Sequence, residues 1–504
     1  MTRLSELKER WFIDVARKDA FPPQLRHPGT QIQAYTDGNL VEPIIDGKAI
    51  MGDFYYRVAA MLAGDDPRHC QILIAAMGID PVRLLGESGP APDAMTTLLE
   101  AAGAGAQVYF LASGQRGLGT LSRKFAEKLN AFGGHGAIDT RFPGFSGGHH
   151  QKFNVTRGPD GEWVALVSSA DFFFARWDTP DHLAENPERP AKGGATHDVG
   201  LKVRGPAVAD IGLTFAERWN DTSSVGATAP PIRVKMPTNF LSARSSSPGP
   251  HSVQVLRTYP HINGQGGYTW SHQGEFTIWA AYLNAIRQAT RYIYIEDQYF
   301  YPFHDPPFFA SATGRRLETD IVYQLGQALK RGVDVVALVP GRNDAIWKHY
   351  EIQQRWRAAE YLHDIATAHR AHGNFIICFL HNGGNDPVVH AKLMLVDDEY
   401  ALVGSANICQ RSIAYISELQ LGVVDAENRL VRDLRLALWQ EHLELDKPDR
   451  VRDPQAGVHE WQETTARQTG RLRPLSNRRP IFRFPYRYLF NRVLDPYSGP
   501  PRVP

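Results

Sequence analysis

The sequence has very little cysteine and none of the long apolar segments that anchor proteins in membranes. Its three cysteines, Cys70, Cys378 and Cys409, are far apart among 504 residues, which excludes a disulfide framework or a zinc-finger spacing. The first residues, MTRLSELKERWF, carry charges throughout and contain no apolar core of a secretory signal. Uninterrupted apolar runs fall short of the roughly 18 residues of a spanning helix. We therefore expect a protein of the cytoplasm, or one exported without a cleavable signal, that is peripheral at membranes.

The sequence also lacks an excess of charge of either sign. Lysine and arginine number 55 against 54 aspartate and glutamate residues. A protein that binds nucleic acid non-specifically is usually more basic, so this balance disfavours a nucleic-acid partner. Hydrophobic residues make up 43% of the chain, which is enough for large buried cores.

Short apolar segments rich in β-branched residues alternate with helical patterns, which indicates an α/β fold. The same order of elements occurs twice, on either side of a segment rich in proline, serine and alanine. We interpret this as an internal duplication of two similar lobes, each a mixed sheet flanked by helices. The predicted boundaries are a first lobe over 1–224, a linker over 225–250, a second lobe over 251–450 and a basic, aromatic tail over 451–504.

Two His-x-Lys pairs occupy matching places in the two halves, His150 with Lys152 and His390 with Lys392. Each pair is predicted to lie on a strand, where residues two apart point to the same face. Cleavage of a phosphodiester needs a nucleophile, a proton donor for the leaving group and positive charge near the phosphate oxygens. Two histidines and two lysines supply these functions without a metal or cofactor, so we predict neither.

Further polar residues follow each pair at similar distances. Asp198 and Glu418 occupy equivalent places and are predicted to hold the second nitrogen of the histidines. The return strands carry hydrogen-bonding groups that we assign to the substrate: Ser169, Asp171, Ser405 and Asn407. The predicted catalytic set is His150, Lys152, His390, Lys392, Asp397, Glu418 and Asp198.

These segments resemble the phospholipase D superfamily of HKD-motif phosphodiesterases. The stretch HAKLMLVDDEYALVGSAN reproduces the H-x-K-x4-D signature at His390, Lys392 and Asp397, followed by G-S-x-N. The segments HHQK, ARWDTPDH, THDVGLKVRGPAV and IYIEDQYF are similar to those of phospholipase D enzymes in particular. The similarity extends over residues 40–445. In the first motif, Arg157 replaces the aspartate, and Asp160 in the following turn is a candidate substitute.

The resemblance implies one active site at the interface of the two lobes, so that a monomer suffices. It implies hydrolysis of phospholipid headgroups to phosphatidic acid through a phosphohistidine, with His150 as nucleophile and His390 as general acid and base. The order of the two histidines is open from the residues alone. The implied partner is a phospholipid membrane surface.

Three other functions stay open from the sequence. A phosphatidyltransferase similar to cardiolipin synthase would use the same intermediate, and so would a superfamily nuclease. A binding module without turnover would follow if Arg157 marked a disabled motif. The tail segment 467–492 interleaves arginines with aromatic residues, and it suits either a lipid interface or the surface of the enzyme itself.

Overall fold

The computed structural model describes residues 2–20, 22–115, 119–142, 147–221, 235–261, 268, 270–271, 273–303, 318–341, 348–368, 372–475 and 494–495. The predicted linker therefore lies partly outside the described residues, as does half of the basic aromatic tail. Among the helices described, none combines the length and the apolar character needed to cross a bilayer.

The first half of the chain alternates strands and helices as its sequence pattern predicts. Its elements are α1 (Arg3–Trp11), β1 (Thr36–Ile45), α2 (Gly47–Ala63), β2 (Gln71–Ala76), α3 (Ala94–Gly103), β3 (Gln107–Ser113), α4 (Gly119–Ala131), β4 (His135–Asp139), β5 (Phe153–Arg157), β6 (Trp163–Ser168), β7 (Thr196–His197), β8 (Val199–Arg204) and α5 (Ala207–Asn220). Short 3-10 helices lie at Pro67–His69, Phe174–Arg176 and Asn239–Ser245.

The second half repeats this order. Its elements are β9 (His251–Tyr259), β10 (Glu275–Phe276), α6 (Thr277–Gln288), β11 (Tyr292–Asp297), α7 (Ile321–Lys330), β12 (Asp334–Leu338), α8 (Lys348–Ala368), β13 (Phe375–Leu380), β14 (Val388–Val389), β15 (Lys392–Val396), β16 (Tyr400–Gly404), α9 (Gln410–Ala414), β17 (Glu418–Asp425), α10 (Arg429–His442), α11 (Pro454–Arg467) and β18 (Leu472–Pro474). A 3-10 helix at Pro448–Val451 separates α10 from α11.

All the described strands except β7 and β14, which pair with each other in parallel, form one continuous sheet in which the two halves meet edge to edge. The order is β18-β13-β12-β11-β15-β16-β17-β9-β1-β8-β6-β5-β2-β3-β4, and β10 pairs with β9. The junction is the antiparallel pair β1 and β9, where Thr36 is opposite Val253. On each side of it the order of equivalent strands is the same, so the predicted duplication and the α/β class are confirmed.

Three strands toward the outer side of each lobe are parallel, and the strands nearer the junction are antiparallel. Strands β2, β3 and β4 pair in parallel, as do β11, β12 and β13, beyond which β18 pairs antiparallel with β13. Gly105 and Gly332 lie two residues beyond the ends of α3 and α7, and their φ angles of 99° and 92° lie in the left-handed region. Glycine is favoured there because other residues meet a steric cost in that conformation.

The strands predicted to carry the His-x-Lys pairs are shorter than expected. Strand β5 begins at Phe153 and β15 begins at Lys392, so the histidines precede their strands. The physical reason is that the backbone of each histidine pairs with the opposite lobe. His390 N donates to His197 O over 2.8 Å, and His150 N donates to Ser417 O over 2.9 Å.

The described parts of the two ends of the chain pack on the second lobe. Trp11 of α1 is fully buried and stacks on Tyr400, with ring centroids 5.7 Å apart. Strand β18 pairs with β13, and Trp461 of α11 is buried in the core. In the described part of the linker, Phe240 is fully buried against Gly212 of α5. These segments are therefore integral to the fold.

Candidate active site

Each of the two histidines is held by a carboxylate from the other lobe. His150 Nδ1 lies 2.9 and 3.0 Å from the two carboxylate oxygens of Glu418. His390 Nδ1 lies 2.7 Å from Asp198 Oδ1. Because the carboxylate accepts from Nδ1, the other nitrogen, Nε2, is left for a substrate. The structure thus brings four predicted residues together, in a crosswise arrangement that joins the lobes.

The two predicted substrate serines bind the carboxylates instead. Ser169 Oγ donates to Asp198 Oδ1 over 2.5 Å, and Ser405 Oγ donates to Glu418 Oε2 over 2.6 Å. Ser412 donates to the other oxygen of Glu418 over 2.7 Å. In the free site these serines therefore orient the carboxylates that orient the histidines.

The two lysines take equivalent positions beside the histidines. Lys152 Nζ donates to His150 O over 2.9 Å, and Lys392 Nζ donates to His390 O over 2.5 Å. Lys152 also pairs with Asp171 over 3.2 Å, whereas Lys392 donates to Gln298 Oε1 over 3.0 Å. Both ammonium groups are almost completely buried, so each acts in a low-dielectric environment where charge interactions are strong.

Asp171 and Asn407 are equivalent in sequence but differ in their contacts. Asp171 Oδ1 accepts from Met77 N over 2.9 Å, so its two oxygens are used by the protein. The amide of Asn407 is fully buried, and neither its oxygen nor its nitrogen has a hydrogen-bond partner among the described residues. A buried amide without partners is costly, so Asn407 is the better candidate to contact a substrate.

Burial and the neighbouring cations keep both histidines neutral in the free site. Burial, Lys152 and Lys392 lower the pKa of His150 well below its usual value. Burial, Arg176 and Lys392 do the same to the pKa of His390. A neutral imidazole that donates its Nδ1–H to a carboxylate presents a lone pair at Nε2, which is the form that a nucleophile needs.

The carboxylate and lysine groups respond to burial in opposite directions. Burial raises the pKa of Glu418 to about 7, against the opposing effect of Lys152. Burial raises the pKa of Asp198 as well, against the opposing effect of Arg176. Burial lowers the pKa of Lys392 to about 7, although Asp198 favours its charged form. An incoming phosphodiester anion would offset the cations and favour protonation of a histidine.

Asp397 of the predicted catalytic set lies at the opposite end of β15 from Lys392. Its carboxylate accepts from the backbone N–H groups of Thr290, Arg291 and Tyr292 at 2.8, 2.8 and 3.0 Å. It also lies 3.2 Å from Arg10. In the structure this carboxylate fixes the start of the neighbouring strand β11, so its predicted catalytic role is left to the kinetic test below.

Arg157, the first-lobe counterpart of Asp397, donates to a backbone carbonyl, whereas Asp397 accepts from backbone N–H groups. Arg157 donates to His69 O over 3.2 Å, at the equivalent end of β5, where it is opposite Gln71 of β2. Asp160, the proposed substitute, accepts from Glu162 N within its own turn. Because this position is at the far end of the strand, the departure from the motif leaves the histidine face intact.

We expect Asp397→Asn to lower the free energy of unfolding by about 3 kcal/mol, because three backbone N–H groups lose their charged acceptor. The folded variant should keep its turnover number within about threefold, because Asp397 lies at the far end of β15 from Lys392. Arg157→Asp should change turnover by a similarly small factor. Thermal unfolding and steady-state kinetics on the same preparations would check both expectations. A loss of turnover of tenfold or more in either folded variant would show that the motif aspartate acts in catalysis.

Two arginines that were not predicted from the sequence act electrostatically on the histidines. Arg176 is the strongest neighbouring charge on His390, and Arg411 is among the charges that lower the pKa of His150. Arg411 also donates to Tyr299 OH over 3.2 Å. The duplication could have indicated these arginines, because Arg176 follows Ser169 by seven residues and Arg411 follows Ser405 by six.

Comparisons with known proteins agree with this geometry. Residues 135–303 match the family model described as Phospholipase D, and residues 282–438 match the one described as Cardiolipin synthase, PLD-like domain. Among similar curated proteins, Phospholipase D A of Dictyostelium discoideum is 27% identical over 366 residues, which cover 59% of this chain and 27% of that protein. Phospholipase D alpha 1 of Carica papaya is 25% identical over 398 residues, covering 58% of this chain and 49% of that protein.

The chain belongs to the phospholipase D superfamily, with two phospholipase D-like domains in tandem. The chain spans about half or less of the length of the curated relatives it matches. Among solved structures, phosphatidylserine synthase from Haemophilus influenzae Rd KW20 has the same fold, with a TM-score of 0.51 and 14% identity over 85% of this chain and 93% of that one.

Proposed function

We propose that the protein is a phospholipase D-type phosphodiesterase that cleaves phospholipid headgroups through a covalent histidine intermediate. The observation that carries the proposal is the crosswise pairing of each histidine with a carboxylate of the other lobe. This pairing gives two neutral imidazoles of fixed orientation, with a buried lysine beside each. Such a site has the groups that in-line displacement at phosphorus requires.

In the proposed first step, Nε2 of His150 attacks phosphorus and the bond to the headgroup oxygen breaks. His390, protonated as the anionic substrate binds, gives its proton to the departing alcohol. The lysines and Asn407 contact the non-bridging oxygens as their charge grows. We assign the nucleophile to His150 by resemblance, and its side chain is more exposed than that of His390, at 10% against 3%.

In the second step, neutral His390 removes a proton from water, which attacks phosphorus and displaces His150. The products are phosphatidic acid, a neutral His150 and a protonated His390. When the anionic product leaves, His390 returns its proton to solvent and both imidazoles are again neutral. An alcohol in place of water would give a phosphatidyl ester, so the same intermediate supports transfer. The match to a cardiolipin synthase-like domain favours this second function, a phosphatidyltransferase.

The lipid substrate is supported by the names of the relatives and by the motifs they share with this chain. We propose that the protein works at a phospholipid surface as a peripheral enzyme. A single chain carries both half-sites, so a monomer is sufficient.

The test is to incubate the protein with phosphatidylcholine and phosphatidylethanolamine vesicles in EDTA, with and without ethanol. We expect phosphatidic acid in both cases and phosphatidylethanol when ethanol is present. Product that forms only when an alcohol acceptor is supplied would indicate the transferase. Cleavage of nucleic acid without lipid turnover would replace the proposal with a nuclease.

We expect kcat/KM to fall about tenfold per pH unit above pH 7, because Lys392, with its pKa lowered to about 7, loses the charge that stabilises the phosphate oxygens. The corresponding alkaline fall in kcat should begin at higher pH, because the bound anion favours the charged form of Lys392. Lys392→Arg keeps its charge and should remove the alkaline limb, even at lower maximal activity. A wild-type kcat/KM that is constant up to pH 9 would contradict this role.

A further inference from the structure

A second cluster of buried histidines and carboxylates lies behind the active site. Asp46, His182 and His197 come from the first lobe, and Glu441 comes from α10 of the second. The side chains of the first three are at most 1% exposed, and that of Glu441 is 11% exposed. One ligand atom from each lies within 4.8 Å of the others.

The separations of these groups are compatible with ligands around one ion, with a different oxygen of Asp46 nearest to each histidine. His182 Nε2 lies 3.3 Å from Glu441 Oε1 and 3.9 Å from Asp46 Oδ2. His197 Nδ1 lies 3.4 Å from Glu441 Oε1 and 2.9 Å from Asp46 Oδ1. Nitrogen and oxygen ligands at about 2.0–2.1 Å from Zn²⁺ in tetrahedral geometry are about 3.3 Å apart, within this range.

The second nitrogen of each histidine is held as in metal sites. His182 Nδ1 lies 2.9 Å from Asp178 Oδ2, and His197 Nε2 lies 2.9 Å from Glu296 Oε2. Asp178 is itself held by Arg189 over 2.6 Å. Metal-ligating histidines almost always donate their other N–H to such a partner, which fixes the tautomer and turns the free nitrogen toward the ion.

Two of the four groups carry buried atoms at the cluster that lack hydrogen bonds. His197 Nδ1 and Asp46 Oδ2 are buried and have no hydrogen-bond partner within the part of the chain that the structure describes. His182 Nε2 and Glu441 Oε1 lie 3.3 Å apart and hydrogen-bond to each other. Buried polar atoms this close and only partly paired indicate a common partner at the centre of the cluster.

We infer that Asp46, His182, His197 and Glu441 bind one divalent transition-metal ion, for which Zn²⁺ has the fitting geometry. Two imidazole nitrogens and two carboxylate oxygens suit this class of ion. All four coordination positions are taken by the protein, so the site is structural and does not bind substrate.

The position of the site gives the ion a role in joining the lobes. Three ligands lie in the first lobe and Glu441 in the second, so the ion would tie the lobes together. His197 precedes Asp198, and its carbonyl accepts from His390 N and Ala391 N at 2.8 and 3.0 Å. The ion would thereby fix the backbone that presents both His390 and its carboxylate.

The experiment measures metal content in the full chain, independently of any activity. The protein is stripped with a chelator, incubated with Zn²⁺ or Co²⁺, freed of excess ion and analysed by mass spectrometry for metals. We expect about one equivalent in the wild type and a thermal midpoint about 5 °C above that of the stripped protein. The Co²⁺ form should show the intense visible absorption of a tetrahedral complex.

Two variants separate this site from adventitious binding. Glu441→Gln should lose at least about nine-tenths of the bound metal and the thermal shift, whereas Glu427→Gln removes the same charge at an exposed position and should lose neither. Equal metal content in both variants would overturn the inference. So would a wild type that takes up no metal, because protons on the histidines would then link the carboxylates.

Discussion

Replacement of His150 or His390 by asparagine is expected to lower kcat by at least about 10⁴-fold, which corresponds to about 5.5 kcal/mol of transition-state stabilisation. Asparagine retains an N–H group for the carboxylate but has no basic nitrogen to attack phosphorus or transfer a proton. The two losses should not add in the double variant, because both groups serve one covalent cycle.

The measurement is single-turnover and steady-state cleavage of a soluble phosphodiester and of vesicles. His381→Asn is the matched control, because His381 pairs with Asp386 at the surface, with 32% of its side chain exposed. Far-UV circular dichroism and thermal midpoints would establish that each variant is folded. Turnover within tenfold of wild type in either active-site variant would contradict the assignment of both histidines to one site.

Removal of the charge on the interlobe carboxylates is expected to have the next largest effect. Glu418→Gln and Asp198→Asn should each lower kcat by about 10² to 10⁴-fold with a smaller change in KM, since the carboxylate fixes the tautomer and stabilises the charged histidine. Both residues act through a histidine, so they are positioning residues. Aspartate at position 418 should restore part of the activity.

The crosswise pairing makes a sharper prediction for double variants. The effect of Glu418→Gln on kcat should be strongly coupled to that of His150→Asn and much less to that of His390→Asn. The reason is that Glu418 hydrogen-bonds to His150, whereas His390 hydrogen-bonds to Asp198. Glu162→Gln, an exposed carboxylate, serves as control and should leave kcat unchanged. Equal coupling of Glu418 to both histidines would contradict the pairing that the structure shows.

The alternation of strands and helices and its repetition were readable from the sequence. Buried strands such as β2 and β12 are nearly continuous apolar segments, and the helices between them end at glycines. Local pattern and turn chemistry therefore predicted the elements and the duplication. The break in strand structure between β14 and β15 was not predictable, because it depends on hydrogen bonds from the backbone of His390 and Ala391 to the other lobe.

The histidines and lysines of the site were predictable because they recur at matching places. Their partners were predicted only as residue types, since His150 and Glu418 are 268 residues apart and only the fold shows which carboxylate meets which ring. The contacts of Ser169 and Asp397 were not predictable for a similar reason, because a sequence motif does not show which neighbour a side chain contacts. The prediction that no metal is needed rested on cysteine spacing and on the catalytic chemistry, neither of which detects a cluster of histidines and carboxylates drawn from both lobes.

The most direct test of the account is to trap the covalent intermediate. A labelled soluble phosphodiester is mixed with the enzyme, the reaction is quenched in base, and peptides are analysed for phosphohistidine. We predict an adduct on the peptide that contains His150, accumulating in His390→Asn because hydrolysis is slowed more than attack. The absence of an adduct from both histidine peptides, under conditions where the wild type releases product, would contradict a covalent mechanism at the site.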